Sequence, residues 1–294
     1  MNERELLDAV GRLPKSIEPP RDLWPGIEAR LGARSRLWYW IPLVAAAALA
    51  AVLIGRGHEG WKVTWLAGAG AGTLRVGEWL VTDDSSRALI AVGGIGQVEV
   101  RPDTRIRLVR ARADDHRLAL ERGVIYAKVD TVPRLFYVET PAGTAIDLGC
   151  EYTLGTDSAG NGLLHVVRGI VEFQTGALSA KVPMGTILTI RADEGPGIPY
   201  VEDASPALRR ALAALDVPAA LRAARAEDAL SLWHLLQRVA ASGRGAVYDR
   251  LAVLVPPPPG VTRAAALAGD TASLDAYWKV IHRLHFRRVI LSRP

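Results

Sequence analysis

FYVETPAGTAIDLGCEYTLGTD, residues 136–157, is the stretch whose reading decides the fold. Apolar and polar residues alternate along it, which is the period of a β-strand and not of a helix. Ile146, Leu148, Cys150, Tyr152 and Leu154 fall on one face of the expected strand, and Asp147, Gly149, Glu151 and Thr153 on the other. Cys150, the chain's single cysteine, therefore stands in an apolar row. There a thiol packs as a small hydrophobe, and its thiolate is disfavoured. Asp147 is expected to point away from it. His165, in GLLHVVRGIVEFQT, sits in the register opposite to Leu164 and Val166, so a nucleophilic Cys150–His165 pair is not expected.

Short alternating runs continue on both sides of this stretch. TLRVGEWLVT, RALIAVG, QVEVRP, RIRLVRAR and RLALERGVIYAKV precede it, and LLHVVRGIVEFQT, ALSAKV and TILTIRA follow, separated by Gly, Pro, Asp and Asn. Closely spaced short strands with turn residues between them predict an all-β domain over residues 61–200: an antiparallel sandwich, barrel or jelly roll. ERGVIYAKV and VRGIVEFQT each place Arg-Gly before an alternating strand and read as two equivalent edges of one sandwich. GAGAGTLRV (68–76) and GGIGQVEV (93–100) have strand after glycine, where a dinucleotide site needs a helix, so they read as hairpin turns.

From residue 204 the chain turns alanine- and leucine-rich at helical spacing, predicting a small helical domain over 204–294. Ser205 before Pro206 has the chemistry of a helix start, and Thr262 and Asp270 are further expected N-caps. PPPPG at 256–260 breaks the helices with an extended connector. The tail KVIHRLHFRRVILSRP reads as a frayed last helix with His282 and His285 on a solvated basic face; the rival reading lays it on anionic lipid or polymer.

Residues 37–55, LWYWIPLVAAAALAAVLIG, carry no charge. As a helix they would span about 28 Å, close to the ~30 Å hydrocarbon core of a bilayer. Trp38, Tyr39 and Trp40 suit an interfacial belt, and Arg30, Arg34 and Arg36 precede the run while Arg56 alone follows it closely. That asymmetry predicts a single membrane span with the N-terminus in the cytoplasm and the bulk of the chain outside the inner membrane. A cleavable signal peptide would have a shorter, purely basic leading region. Residues 1–36 hold two short amphipathic segments, the second with Leu23, Trp24, Ile27 and Leu31 on one stripe. Too short to bury a core, they are either a surface-lying tail or a peptide that folds on a cytoplasmic partner.

One cysteine excludes a disulfide scaffold and a cysteine-rich zinc site. No phosphate-binding GxxxxGK[ST] loop and no HExxH helix is present, and LGCEY lacks the His-Gly-Cys context of cysteine transpeptidases. Asp83–Asp84 and Asp114–Asp115 read as solvated turn residues. No catalytic residue, cofactor or metal is expected. A net charge of +5 from 36 basic and 31 acidic residues is too balanced to argue for nucleic acid.

In order, the β-region resembles the FecR domain of membrane-anchored sigma-factor regulators. The resemblance runs over residues 61–192 and is carried by Gly77 and Thr82 around the first strand, then by Val98, Val100, Pro102 and Thr104. Leu120 with Gly123, Val138, Thr140 and Pro141, and the hairpin residues Val166, Gly169 and Val171 complete it. Where the family reads glycine-threonine-x-phenylalanine, this chain has Gly149, Cys150, Glu151 and Tyr152. The resemblance implies a non-catalytic regulator with a cytoplasmic sigma-factor partner and an outer-membrane receptor or other envelope protein as periplasmic partner. The short N-terminal segment and the helical C-terminus depart from the family. The alternative is an envelope scaffold that binds cell-wall polymer, carbohydrate or another protein.

Overall fold

The computed structural model describes residues 60–67, 71–130 and 133–292. The expected tail, with Leu23, Trp24, Ile27 and Leu31, and the expected span 37–55 lie outside the described residues. Among the described residues no helix is long and apolar enough to cross a membrane.

The chain begins with β1 (Gly60–Ala67), β2 (Ala71–Arg75), β3 (Trp79–Val81), β4 (Arg87–Val92), β5 (Gly96–Val100), β6 (Arg105–Arg112) and β7 (Asp115–Val129). Then come β8 (Phe136–Thr140), β9 (Gly143–Asp147), β10 (Glu151–Thr156), β11 (Gly162–Arg168) and β12 (Ile170–Thr175). β13 (Leu178–Pro183), β14 (Thr186–Arg191), β15 (Gly195–Pro196) and β16 (Tyr200–Val201) complete the strands. They form two sheets. One runs β2-β1-β4-β5-β7-β10-β11-β14, with β15 and β16 on β14. The other runs β3-β6-β7-β8-β9-β12-β13.

β7 belongs to both sheets, and its sequence shows how. His116, Leu118 and Leu120 are buried where it pairs with β6 and β8. Beyond Gly123 the buried residues are Ile125, Ala127 and Val129, where it pairs with β5 and β10. The inward-facing parity thus switches from even to odd across Gly123, whose φ of +90 to +100 region is open to glycine alone at low cost (φ 99°). A register shift at Arg105/Ile106 on β6 accompanies the bend. The second Arg-Gly pair does the reverse, since Gly169 (φ 80°) carries the chain from β11 in the first sheet to β12 in the second. The two similar segments are two of the places where the chain changes sheets, a more specific role than two equivalent edges.

Two further differences from the sequence reading concern the sheets. Pairing is mainly antiparallel, but β7 and β8 run parallel, from His116↔Phe136 to Ala119↔Glu139. The run AIDLGCEYTL is also not one strand, because β9 ends at Asp147 and β10 starts at Glu151, with Gly149 (φ 90°) between them. Both sheets close on one apolar cluster that includes Ile90, Val100, Ile106, Leu118, Phe136 and Phe173. Each fully buried side chain of this size contributes roughly 1.5–3 kcal/mol, offset by the conformational entropy of ordering the chain.

The helices are α1 (Pro206–Ala213), α2 (Val217–Ala223), α3 (Ala229–Arg238), α4 (Ala241–Leu254), α5 (Arg263–Ala268) and α6 (Thr271–Ser292). Ser205 Oγ accepts from Leu208 N at 3.1 Å, Thr262 Oγ1 from Ala265 N at 3.2 Å, and Asp270 Oδ2 from Ser273 N at 2.8 Å, as capping chemistry predicts. A second apolar cluster, with Leu208, Trp233, Leu235, Leu251 and Tyr277, lies among them.

The last helix is not a frayed basic tail. It reaches Ser292 and is tied to the β-region: His285 is buried, with Nε2 2.6 Å from the Met184 carbonyl, and Val289 packs over Gly185. His282 stacks on Trp278 at a centroid distance of 5.6 Å. His285 is therefore off the solvated face, buried against the turn between β13 and β14, while His282 is half-buried between Trp278 and Phe286 of its own helix. The spacing of the tail alone does not reveal that docking surface.

Candidate functional site

The residues that carried the sequence resemblance gather where the chain turns or changes sheets. Gly77 (φ 90°) makes the turn before β3, and its N–H donates to Leu108 O at 2.8 Å. Thr82 Oγ1 donates to Arg101 O at 2.7 Å and accepts from Thr104 N at 3.0 Å. Thr104 Oγ1 accepts from Val124 N at 2.9 Å and lies 3.1 Å from Pro102 O. Gly123 packs directly on Thr104, and a Cβ there would stand 2.3 Å from its Oγ1. Buried hydroxyls here pair backbone groups that the bend removes from the sheet ladders.

At the other crossing, a Cβ on Gly169 would stand 2.4 Å from Gly149 O and 3.1 Å from Cys150 Sγ. Cys150 is buried, and its thiol donates to Ile170 O at 2.6 Å. Val138 is buried in β8, and Thr140 Oγ1 donates to Gly143 O at 2.9 Å in the turn that Pro141 begins. Val98, Val100, Leu120, Val166 and Val171 all lie in the core between the sheets.

Asp147 departs from expectation. The turn at Gly149 folds β9 back, so Asp147 is buried beside Cys150 instead of pointing away. Its Oδ1 accepts from Gly149 N at 2.6 Å, while Oδ2 has no hydrogen-bond partner and neither has the buried Tyr152 hydroxyl. Burial raises the Asp147 pKa to about 6, against the lowering effect of the Gly149 and Cys150 hydrogen bonds. Burial and the Asp147 charge push the Cys150 thiol far above its ordinary value, the reverse of nucleophile activation. His165 is held elsewhere, with Nε2 2.5 Å from Glu202 Oε1. These groups form a buried cluster, and Asp147 is the member that alternation alone misplaced.

The family model described as FecR protein matches residues 78–172, from just before β3 into β12. Residues 78–172 are a FecR domain. The crossings at Gly123 and Gly169 both fall inside the match. Matching solved structures include two crystal structures described as a candidate anti-sigma factor from Parabacteroides distasonis. The first is 16% identical, with 43% of this chain and 61% of that chain covered and a TM-score of 0.38. The second is 17% identical, with 48% of this chain and 61% of that chain covered and a TM-score of 0.33. The chain thus spans about three-fifths of the length of each. No curated protein matches the chain.

Beyond the FecR match, the described surface has a groove of about 500 Å³ where β14 and the β14–β15 turn meet α1 and α3. Arg191, Glu194, Arg209, Arg210 and Arg238 line it above Ile198, Tyr200 and Leu212, with Leu215 at its rim. β14 supplies Arg191, α1 supplies Arg209 and Arg210, and α3 supplies Arg238. Arg238 is half-buried, and its Nη1 donates to Pro196 O at 2.8 Å. No sequence motif announces this groove, since its cations come from positions 191 to 238 and meet only through the packing of helices on strand β14.

Proposed function

We propose that the chain is a membrane-anchored FecR-type signal-transducing regulator. In this reading residues 37–55 cross the inner membrane once. Residues 1–36 engage a sigma factor in the cytoplasm through Leu23, Trp24, Ile27 and Leu31, and the β-region senses an outer-membrane receptor or another envelope protein. The observation that carries it is the FecR match at residues 78–172 together with the uncharged run that precedes it. The interior cluster at Cys150 supports a structural role for that cysteine, since its thiol is buried and held in the protonated form.

The test has two arms. Reporter fusions after residue 36 and after residue 294 are expected to report opposite sides of the membrane; the same side for both would remove the anchor. Deleting residues 1–36 is expected to change the transcripts of one sigma-factor regulon, and an unchanged transcriptome would remove the regulatory role.

A further inference from the structure

We infer that the groove between β14, α1 and α3 binds an acidic peptide segment, with carboxylates on its arginines and an apolar side chain on its floor. The charge balance is the first argument. Four guanidinium groups line the groove against the single carboxylate of Glu194, and Arg191 Nε engages that carboxylate at 3.2 Å. Arg209 and Arg210 are exposed and have no ion-pair partner among the described residues. Arg238 hydrogen-bonds a carbonyl and has no ion pair within contact distance among the described residues, and burial lowers its pKa against the opposing charge of Glu194. An incoming carboxylate would offset that cost, and guanidinium–carboxylate pairs form the stronger, two-pronged type of hydrogen bond.

The floor and rim decide between ligand types. Ile198 and Leu212 form a buried apolar base, and Leu215 stands 48% exposed at the edge with a φ of 50°. The left-handed conformation of Leu215 closes the end of α1, where Asp216 N donates to Ala211 O at 2.9 Å, and it leaves the leucine side chain at the groove edge. An inorganic anion would make no use of an apolar floor. The volume lies within the range of about 300–1,000 Å³ that accommodates several ligand groups. Cations drawn from three elements around the cavity suit carboxylates spaced along a segment better than one compact phosphate. The inference stands on the groove and is independent of the anchoring and sigma-factor readings.

The experiment is fluorescence anisotropy of the full-length chain with a fluorescein-labelled peptide of alternating glutamate and leucine. Saturable binding is expected, weakened several-fold between about 50 mM and about 300 mM salt by screening. Arg209→Glu with Arg210→Glu is expected to weaken binding at least about tenfold with an unchanged thermal melt, as both side chains are exposed. Arg209→Gln with Arg210→Gln provides a milder variant with the same expected direction. A glutamine-for-glutamate peptide is expected not to bind. Equal binding by both arginine variants and the parent chain, or displacement of the peptide by millimolar inorganic phosphate, would overturn the assignment.

Discussion

His285 Nε2 lies 2.6 Å from the Met184 carbonyl oxygen, so the ring donates from Nε2 and the last helix is bonded to the turn that joins β13 and β14. Its Nδ1 is buried without a partner, which suits the neutral ring. His234 makes the matching bond one strand earlier, Nε2 to Lys181 O at 3.0 Å. Burial lowers the pKa of both, that of His234 to about 3.

A lowered histidine pKa makes stability depend on acid. Between the folded and unfolded values the unfolded chain binds more protons, so stability is complete above an unfolded pKa near 6.5 and falls as pH drops below it. The loss is about 1.4 kcal/mol per histidine for each pH unit crossed within that window. His285→Gln keeps a donor at the Nε2 position and cannot titrate there. Thermal melts from pH 7 down to pH 4 are expected to show a smaller acid loss in His285→Gln; an identical pH profile would argue against the buried neutral ring.

Asp147 acts with the opposite sign. Its pKa is raised to about 6 by burial, so the folded state holds the proton where the unfolded state has lost it. Its contribution is fully present below an unfolded pKa near 3.9 and is lost as pH rises to about 6. Asp147→Asn keeps an acceptor for Gly149 N and removes the buried charge. The variant is expected to be more stable than the parent chain at pH 7 by on the order of 2 kcal/mol, measured by denaturant unfolding. A less stable variant would show that Asp147 has a charge partner.

Gly123 and Gly169 carry two of the sheet crossings, and each combines positive φ with backbone or side-chain atoms where a Cβ would go. Gly123→Ala and Gly169→Ala are each expected to cost about 3 kcal/mol or more, since strain and overlap add. Gly77→Ala has positive φ but open space and should cost only about 1 kcal/mol. Chemical denaturation of the three variants tests the ranking, and equal losses would contradict it.

The Cys150 thiol should be inert in the native protein. Labelling with a thiol reagent at pH 8 is expected to follow global unfolding, with no reaction at native conditions beyond that rate. Fast native labelling would mean that the interior cluster opens locally.

Alternation and turn chemistry in the sequence were enough for the β-region, the change to helices near residue 204, the caps at Ser205, Thr262 and Asp270, and the core position of Cys150. Those properties are local: they depend on which residues follow one another and on the few conformations that proline, glycine and capping side chains allow. The resemblance drawn from ordered short motifs was local in the same sense, and among its residues Gly77, Gly123 and Gly169 each serve a turn or a crossing. Tertiary structure alone decided that Asp147 lies beside Cys150, that His234 and His285 are buried against β13 and the turn after it, and that four distant arginines share one groove. Each of those depends on which surfaces meet after the chain folds back on itself, and a period-two or helical pattern carries no record of the partner it will face.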